Sequence, residues 1–259
     1  MDNSKQSKQI LLSVIGVAIL VVAVVGVSFA FFNYTRTGAA NTVSTGKIKF
    51  TSTQSGDGVS LTNKFPITAA TYSTQSSGTY DSTTMDFARI VVTINGETTY
   101  AQGLDFKVTA KDVNFDAGGN NAVTLPVNVV VTATQTSTPV SGDSITGYSR
   151  TNGVAIPEGY VLADGHIGGT STYTDGTRFA ATVTIDAYLD GSKIAITDTY
   201  AGSGNAATDY NGTSDSNWVG DRTVLTTDQW NALSSSAANN LSFKVSVESR
   251  ETGGTYVSS

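Results

Sequence analysis

The 259-residue sequence predicts an all-β protein, an antiparallel β-sandwich of jelly-roll type with long decorated loops and one short helix, preceded by an N-terminal hydrophobic segment. Three observations predict it. Beyond Asn33 the dominant hydrophobic period is two, the period of a strand with one buried and one solvated face. The alternating runs are short, and Gly, Ser, Thr and Asn fill the stretches between them, which is the chemistry of turns. No internal repeat and no interdomain linker breaks the pattern, so residues 31–259 read as a single domain.

At the N-terminus, Lys5 and Lys8 precede an uncharged apolar run from Ile10 to Phe32, interrupted only by Ser13, Gly16, Gly26 and Ser28. Polarity returns at Asn33, Thr35 and Arg36. This is the positive, apolar, small-residue order of a secretory signal. Ser28-Phe29-Ala30 puts small side chains at the two positions a signal peptidase reads, so residues 1–30 are expected as a signal peptide cut between Ala30 and Phe31. The alternative is a retained membrane anchor, since about 20 apolar residues span a bilayer. Either way the bulk of the chain is expected outside the cytoplasm, secreted or on the cell surface.

The strands follow in order. Ala88, Ile90, Val92 and Ile94 alternate up to Asn95-Gly96, which reads as a hairpin turn. Leu104, Phe106, Val108 and Ala110 oppose Asp105, Lys107, Thr109 and Lys111. Val123, Leu125, Val127, Val129 and Val131 repeat the pattern, with Pro126 marking an edge or a bulge. A long strand runs from Phe179 to Leu189, and Asp190-Gly191 reads as a turn into Lys193–Thr197. Leu241, Phe243, Val245 and Val247 form the closing strand. Thr226 and Gln229 resemble a capping box for the short helix, with Trp230 and Leu233 on one face. Residues 71–84, 135–153 and 201–221 are expected as connections.

Composition excludes several functions. Charged residues are 14%, the formal net charge is -6 and the sequence pI is about 4.6, so no basic stripe for nucleic acid exists. There is no cysteine, which removes disulfides, thiolate zinc sites and iron–sulfur clusters. The single histidine, His166, lies in Asp164-Gly165-His166-Ile167-Gly168-Gly169 and is expected as a loop residue. A catalytic zinc site needs two histidines and a glutamate base, and a Ser/His/Asp triad needs a nucleophile elbow; neither pattern occurs. The four glutamates, Glu97, Glu158, Glu248 and Glu251, sit in no recognisable catalytic context. No catalytic residue and no cofactor is expected. The one metal reading is calcium at Asp209, Asn211 and Asp215, with Asn217 and Asp221 continuing the spacing. The EF-hand order is not met there, and Asn, Asp and Gly are also what turns use. Asn33, Asn211 and Asn240 fit the N-glycosylation acceptor pattern.

Four stretches share one further pattern: Ser28-Phe29-Ala30-Phe31-Phe32-Asn33, then Ser44-Thr45-Gly46-Lys47-Ile48-Lys49-Phe50, then Val59-Ser60-Leu61-Thr62-Asn63-Lys64-Phe65-Pro66, and last Leu241–Glu248. Together they resemble the TasA/camelysin family of exported fibre proteins, whose signal peptides are read by a SipW-type peptidase. The likeness covers the first third of the chain and its last strand; residues 135–225 have no counterpart in it. What it implies is a jelly-roll subunit of an extracellular filament or biofilm-matrix fibre on a prokaryotic cell surface. In such fibres the freed N-terminal segment of one subunit adds a strand to the sheet of the next. Its partners would be copies of itself and, during export, a signal peptidase; it would touch the membrane only through an uncleaved N-terminal segment. Here the donor segment would be about 31–43, with Phe32 and Tyr34 as apolar anchors. Some relatives are described as metallopeptidases, a chemistry for which this chain lacks the ligands. The competing view of Phe31–Tyr34 is the aromatic end of a membrane segment. It leads to a membrane-anchored monomeric adhesin or carbohydrate-binding sandwich, for which Trp218 is a candidate contact.

The mature protein is expected to begin at Phe31, and Ala30→Leu to block release, because the peptidase subsite accepts only small side chains. Intact-mass measurement of the surface-exposed protein checks both.

Overall fold

The computed structural model describes residues 34–37, 41–44, 48–117, 123–174, 178–196, 223–225 and 241–254. Two antiparallel sheets pack face to face. The first holds β1 (Tyr34–Thr37), β15 (Ser242–Glu251), β6 (Leu104–Asn114), β11 (Val161–Ile167) and β10 (Ser144–Gly147) in that spatial order, with β4 (Gly58–Ser60) also on β15. The second holds β2 (Asn41–Ser44), β3 (Ile48–Gln54), β5 (Ala88–Thr98), β12 (Phe179–Leu189) and β9 (Val127–Gln135). Small pairings also lie off these sheets or between them. β7 (Asp116–Ala117) pairs with β8 (Val123–Thr124), and β13 (Ile194–Ile196) lies parallel to β14 (Thr223–Leu225). Past β10, Arg150 exchanges backbone hydrogen bonds of 2.7 and 2.8 Å with Val129 of β9. That last bridge ties the two sheets along one side, and the step from β1 to β2 ties them along the other. With β10 beside β9, the strand order is that of a double Greek key, the jelly roll.

The period-two pattern places the core. Ile90, Val92 and Ile94 on β5, Ala181, Val183 and Ile185 on β12, and Leu104, Phe106, Val108 and Ala110 on β6 are all buried. Phe106 lies at the centre, with its ring 5.9 Å from that of Phe50 and 5.7 Å from that of Phe179. A second cluster sits on the outer face of the second sheet, under helix α1 (Ala69–Ser76), which Thr68 caps by accepting from the Thr71 N–H. There Tyr72 stacks on Tyr188 at 4.7 Å and donates its hydroxyl to Asp186 at 2.8 Å. Burial and that hydrogen bond raise the Tyr72 phenol well above its ordinary value. Arg89 grips both oxygens of Asp186 at 2.7 Å, a bidentate pair that satisfies a buried carboxylate.

A chain without disulfides fixes its loops by such polar clamps. Lys64 is 8% exposed and donates to the carbonyls of Ser82 and, at 2.6 Å, Met85. Burial lowers its pKa, partly offset by Asp86 and Asp81. Asp143 accepts two 2.9 Å bonds from Arg178, together with the N–H groups of Gly168 and Val140. Burial pushes the Asp143 carboxyl up, but these donors outweigh it and hold its pKa below the ordinary range.

The structure revises several expectations. Asn95-Gly96 is no turn: β5 runs through it, because a Cβ on Gly96 would sit 2.5 Å from Ile167 Cδ1. The glycine serves close packing. Asp190-Gly191 does not open a hairpin; Asp190 caps a 3-10 turn over Gly191–Lys193, after which β13 leaves the sheet. The expected connection at 71–84 overlaps α1, and that at 135–153 contains β10. Pro126 does separate β8 from β9, and β9 is an edge strand. The helix expected around Thr226–Leu233 lies outside the described residues.

Two outcomes follow. Phe106→Ala should cost about 3–5 kcal/mol in urea unfolding, the usual loss for a buried ring. For Asp143, a depressed native pKa means that its stabilisation is full above the ordinary carboxylate range and is lost as pH falls through the lowered value. Asp143→Asn should therefore be destabilised by about 2–4 kcal/mol at neutral pH, with the gap to the parent narrowing in acid; urea midpoints taken across pH measure it.

Candidate functional site: an edge completed by two short strands

The site is the outer edge of β15. On its inner side β15 pairs with β6 from Asn114 to Leu104, nearly its whole length. On its outer side two short strands lie end to end. β1 places Tyr34, Thr35, Arg36 and Thr37 opposite Ser249, Glu248, Val247 and Ser246. β4 places Gly58, Val59 and Ser60 opposite Lys244, Phe243 and Ser242. Both run antiparallel to β15, so they form one edge strand interrupted opposite Val245. At that break the side chain of Gln54 reaches over from β3, and its Nε2 donates to the Val245 carbonyl at 3.0 Å.

Local sequence explains why β4 sits here. A Cβ on Gly58 would lie 2.3 Å from the Phe243 carbonyl, so only glycine permits the approach. Val59 and Leu61 are buried, and the Leu61 N–H extends the pairing to the Leu241 carbonyl at 2.7 Å. Asn63 then turns the chain with φ 61°, a left-handed conformation that asparagine tolerates. Beside β4 an open depression of about 270 Å³ is lined by Asp57, Gly58, Val59, Ser60, Ser242, Phe243 and Lys244. A sheet edge of this kind is a template for main-chain pairing, and the chain itself supplies what covers it.

Of the residues singled out in the sequence, Tyr34 is the first of β1, opposite Ser249. Ser28, Ala30, Phe31, Phe32, Asn33, Asp209, Asn211, Asp215, Trp218 and Asn240 lie outside the described residues. Of the Ser44–Phe50 stretch, Ser44 ends β2 and Ile48–Phe50 open β3. His166 is not in a loop. It lies in β11, and the glycine before it is there because a Cβ on Gly165 would meet the Phe106 ring at 2.3 Å. On the outer face His166 Nδ1 pairs with Asp105 at 2.8 Å, and Thr252 Oγ1 donates to the same carboxylate at 2.9 Å. Arg250 completes the group at 3.4 Å from Asp105. Thr252 stands on the Nδ1 side, next to the carboxylate, whereas a triad nucleophile sits on the opposite ring nitrogen. The group ties the end of β15 to β6 and β11. Among the described residues no three His, Cys, Asp or Glu side chains gather as metal ligands, and no helix is long and apolar enough to cross a membrane.

The sequence pointed to the closing strand but not to its outer edge, Gln54 or Gly58. Their partners are far off in the chain, and the only local signal was Gly58 before an alternating Val59-Ser60-Leu61. No family model, curated protein or solved structure matches the chain.

Gly58→Val should detach β4, at a cost of about 1–3 kcal/mol. Amide exchange should then quicken at Gly58–Ser60 and Ser242–Lys244 while the β5–β12 amides stay protected.

Proposed function

We propose that this chain is a structural subunit of an extracellular filament or biofilm-matrix fibre on a prokaryotic cell surface, built by exchange of the N-terminal strand between copies. One observation carries the reading: the outer edge of β15 is completed by a separable four-residue strand, β1, that comes directly after the hydrophobic leader. In a single chain β1 covers its own β15. In a fibre, the same four residues lie on the β15 of the next copy and make the same main-chain bonds, which is strand addition to a sheet edge. Only three residues, Gly38-Ala39-Ala40, separate β1 from β2 in the sequence, and short connections favour swapping. Export and cleavage after Ala30 free the segment, and Phe32 and Tyr34 add apolar anchors. Burying two such rings contributes roughly 3–5 kcal/mol per junction before ordering costs. The protein is thus read as secreted and non-catalytic, with other copies of itself as its partner.

Deleting Phe31–Val43 from the mature chain should leave a folded protein that forms no filaments, and Phe32→Ser with Tyr34→Ser should weaken polymerisation sharply. Electron microscopy and sedimentation beside the intact mature chain decide it. Filaments of normal length from the truncated form would rule out strand donation, and none from either form would favour the anchored adhesin.

A further inference from the structure

We propose that Asp57-Gly58 is a site of spontaneous aspartate isomerisation, and that this modification loosens β4 from the outer edge of β15. The step is a reaction of the chain with itself. The Gly58 amide nitrogen attacks the side-chain carboxyl carbon of Asp57 and a C–N bond forms, while the carboxyl hydroxyl leaves as water with the amide proton. Water then adds to the main-chain carbonyl of the resulting cyclic imide and breaks its bond to nitrogen. Afterwards the peptide runs through the Asp57 side chain, and the former main-chain carbonyl is a free carboxylate. Water leaves and water returns, so the mass is unchanged and no oxidant or second substrate is needed.

Asp-Gly steps occur in the chain at Asp57, Asp164, Asp175 and Asp190. Asp175-Gly176 lies outside the described residues, and the fold treats the other three differently. Attack needs an amide nitrogen that is not held in a ladder and a carboxyl free to swing over it. Gly165 lies within β11, between its partners Phe106 on β6 and Ile145 on β10, and Tyr148 donates to the Asp164 carboxylate at 3.0 Å. The Gly191 N–H donates to the Ile67 carbonyl at 3.0 Å. The Asp190 carboxylate accepts from the Asn128 amide and from the N–H and hydroxyl of Ser192. Among the described residues nothing holds Asp57 and Gly58 in this way. The Leu61 N–H bonds the Leu241 carbonyl, and antiparallel bonds fall at alternate residues, so Val59 makes the next pair and the Gly58 N–H points away from β15. Asp57 is exposed, and both residues line the open depression, where water reaches them. At Gly56, just before them, a Cβ would meet nothing within 4 Å, so the turn has room to bend.

The product cannot keep the place of the parent. Ser55 is tied to β5, its N–H donating to the Val91 carbonyl at 2.9 Å and its hydroxyl accepting from the Val91 N–H at 2.9 Å. Val59 and Leu61 are buried in the core. Between these anchors the main chain gains a carbon atom, yet Gly58 lies so close to the Phe243 carbonyl that not even a Cβ fits. The added atom therefore displaces Gly58, and β4 loosens from the edge it covers at Ser242–Lys244. This inference concerns β4 alone and holds whether or not β1 is exchanged between copies.

The mature chain is aged at physiological pH and temperature in heavy-oxygen water, digested, and mapped by electron-transfer fragmentation, which tells isoaspartate from aspartate. Isoaspartate carrying heavy oxygen should accumulate at Asp57 and exceed that at Asp164 and Asp190 by about tenfold or more, because an edge turn opens more readily than paired strands. In urea the three sites should converge, since the fold is what separates them. Asp57→Glu keeps the charge and stops the reaction, because glutamate closes the larger ring far less readily. Amide exchange at Gly58–Ser60 and Ser242–Lys244 should quicken with age in the parent and stay constant in the variant. Accumulation that is equal at the three sites in the folded protein, or absent at Asp57, overturns the proposal. So does isoaspartate at Asp57 without faster exchange at β4, and so do sites that stay unequal in urea, which would trace the difference to local sequence.

Discussion

The backbone of β15 must be paired on both of its edges, and much of the molecule is arranged to meet that need. Phe243, Val245 and Val247 put β15 into the core, so the strand cannot be moved outward or frayed without opening the sandwich. Ser246, Glu248 and Ser249 are nearly buried as well, which denies the strand the water that ordinarily satisfies an edge. β6 supplies one side along the full length. The other side is met in pieces, by β1, by β4 and by the amide of Gln54. Two of these pieces come from β4 and the end of β3, which the core holds through Val59 and Phe50. The third comes from the extreme N-terminal part of the domain and has no buried neighbour in its own sheet beyond β15.

How much of this was legible in the sequence depended on the range over which each cause acts. Strands that bury one face carry their own signature, and β6, β12 and β15 were found by alternation at Leu104–Ala110, Phe179–Leu189 and Leu241–Val247. Glycines misled wherever a distant side chain required them. Gly96 and Gly165 look like turn residues locally, yet each lies inside a strand because Ile167 or Phe106 leaves no room for a Cβ. That cause lies some 60 to 70 residues away in the chain, where no local window reaches it. Helix α1 was missed for a related reason: its sequence, AATYSTQS, carries little amphipathic signal, and Tyr72 is held by Tyr188 and Asp186 from the sheet beneath. The edge of β15 was hidden altogether, since its pairing partners lie about 180 to 215 residues upstream.

Without cysteine, the disulfide route to a rigid domain is closed, and the chain uses charge-assisted clamps in its place. Asp143 with Arg178 and Lys64 with two carbonyls fix loops to one another, and Asp186 with Arg89 clasps the neighbouring strands β12 and β5. Each is buried and multiply bonded, which is the condition under which an ionised group is tolerated away from water. The clamps lie on the second sheet and at the loop ends, away from β1. None of these clamps uses a residue of β1.

That separation is what makes exchange of β1 thermodynamically reasonable. If β1 were a central strand, removing it would break the core and the open form would never be populated. As an edge strand of four residues it pairs with Ser246–Ser249 of β15, and the remaining sandwich keeps its clamps and its core. Closed and exchanged forms make the same bonds, so the balance between them turns on terms outside the ladder: chain entropy, concentration and any apolar contact available only between copies. A leader that is retained holds the segment at a membrane and limits where it can go, whereas a leader that is cut leaves a free end beginning Phe31-Phe32. If the chain is cut after Ala30 and exchanges β1 as proposed, cleavage and polymerisation would be one switch, since the hydrolysis that releases the domain would also create the end that pairs with another copy's β15.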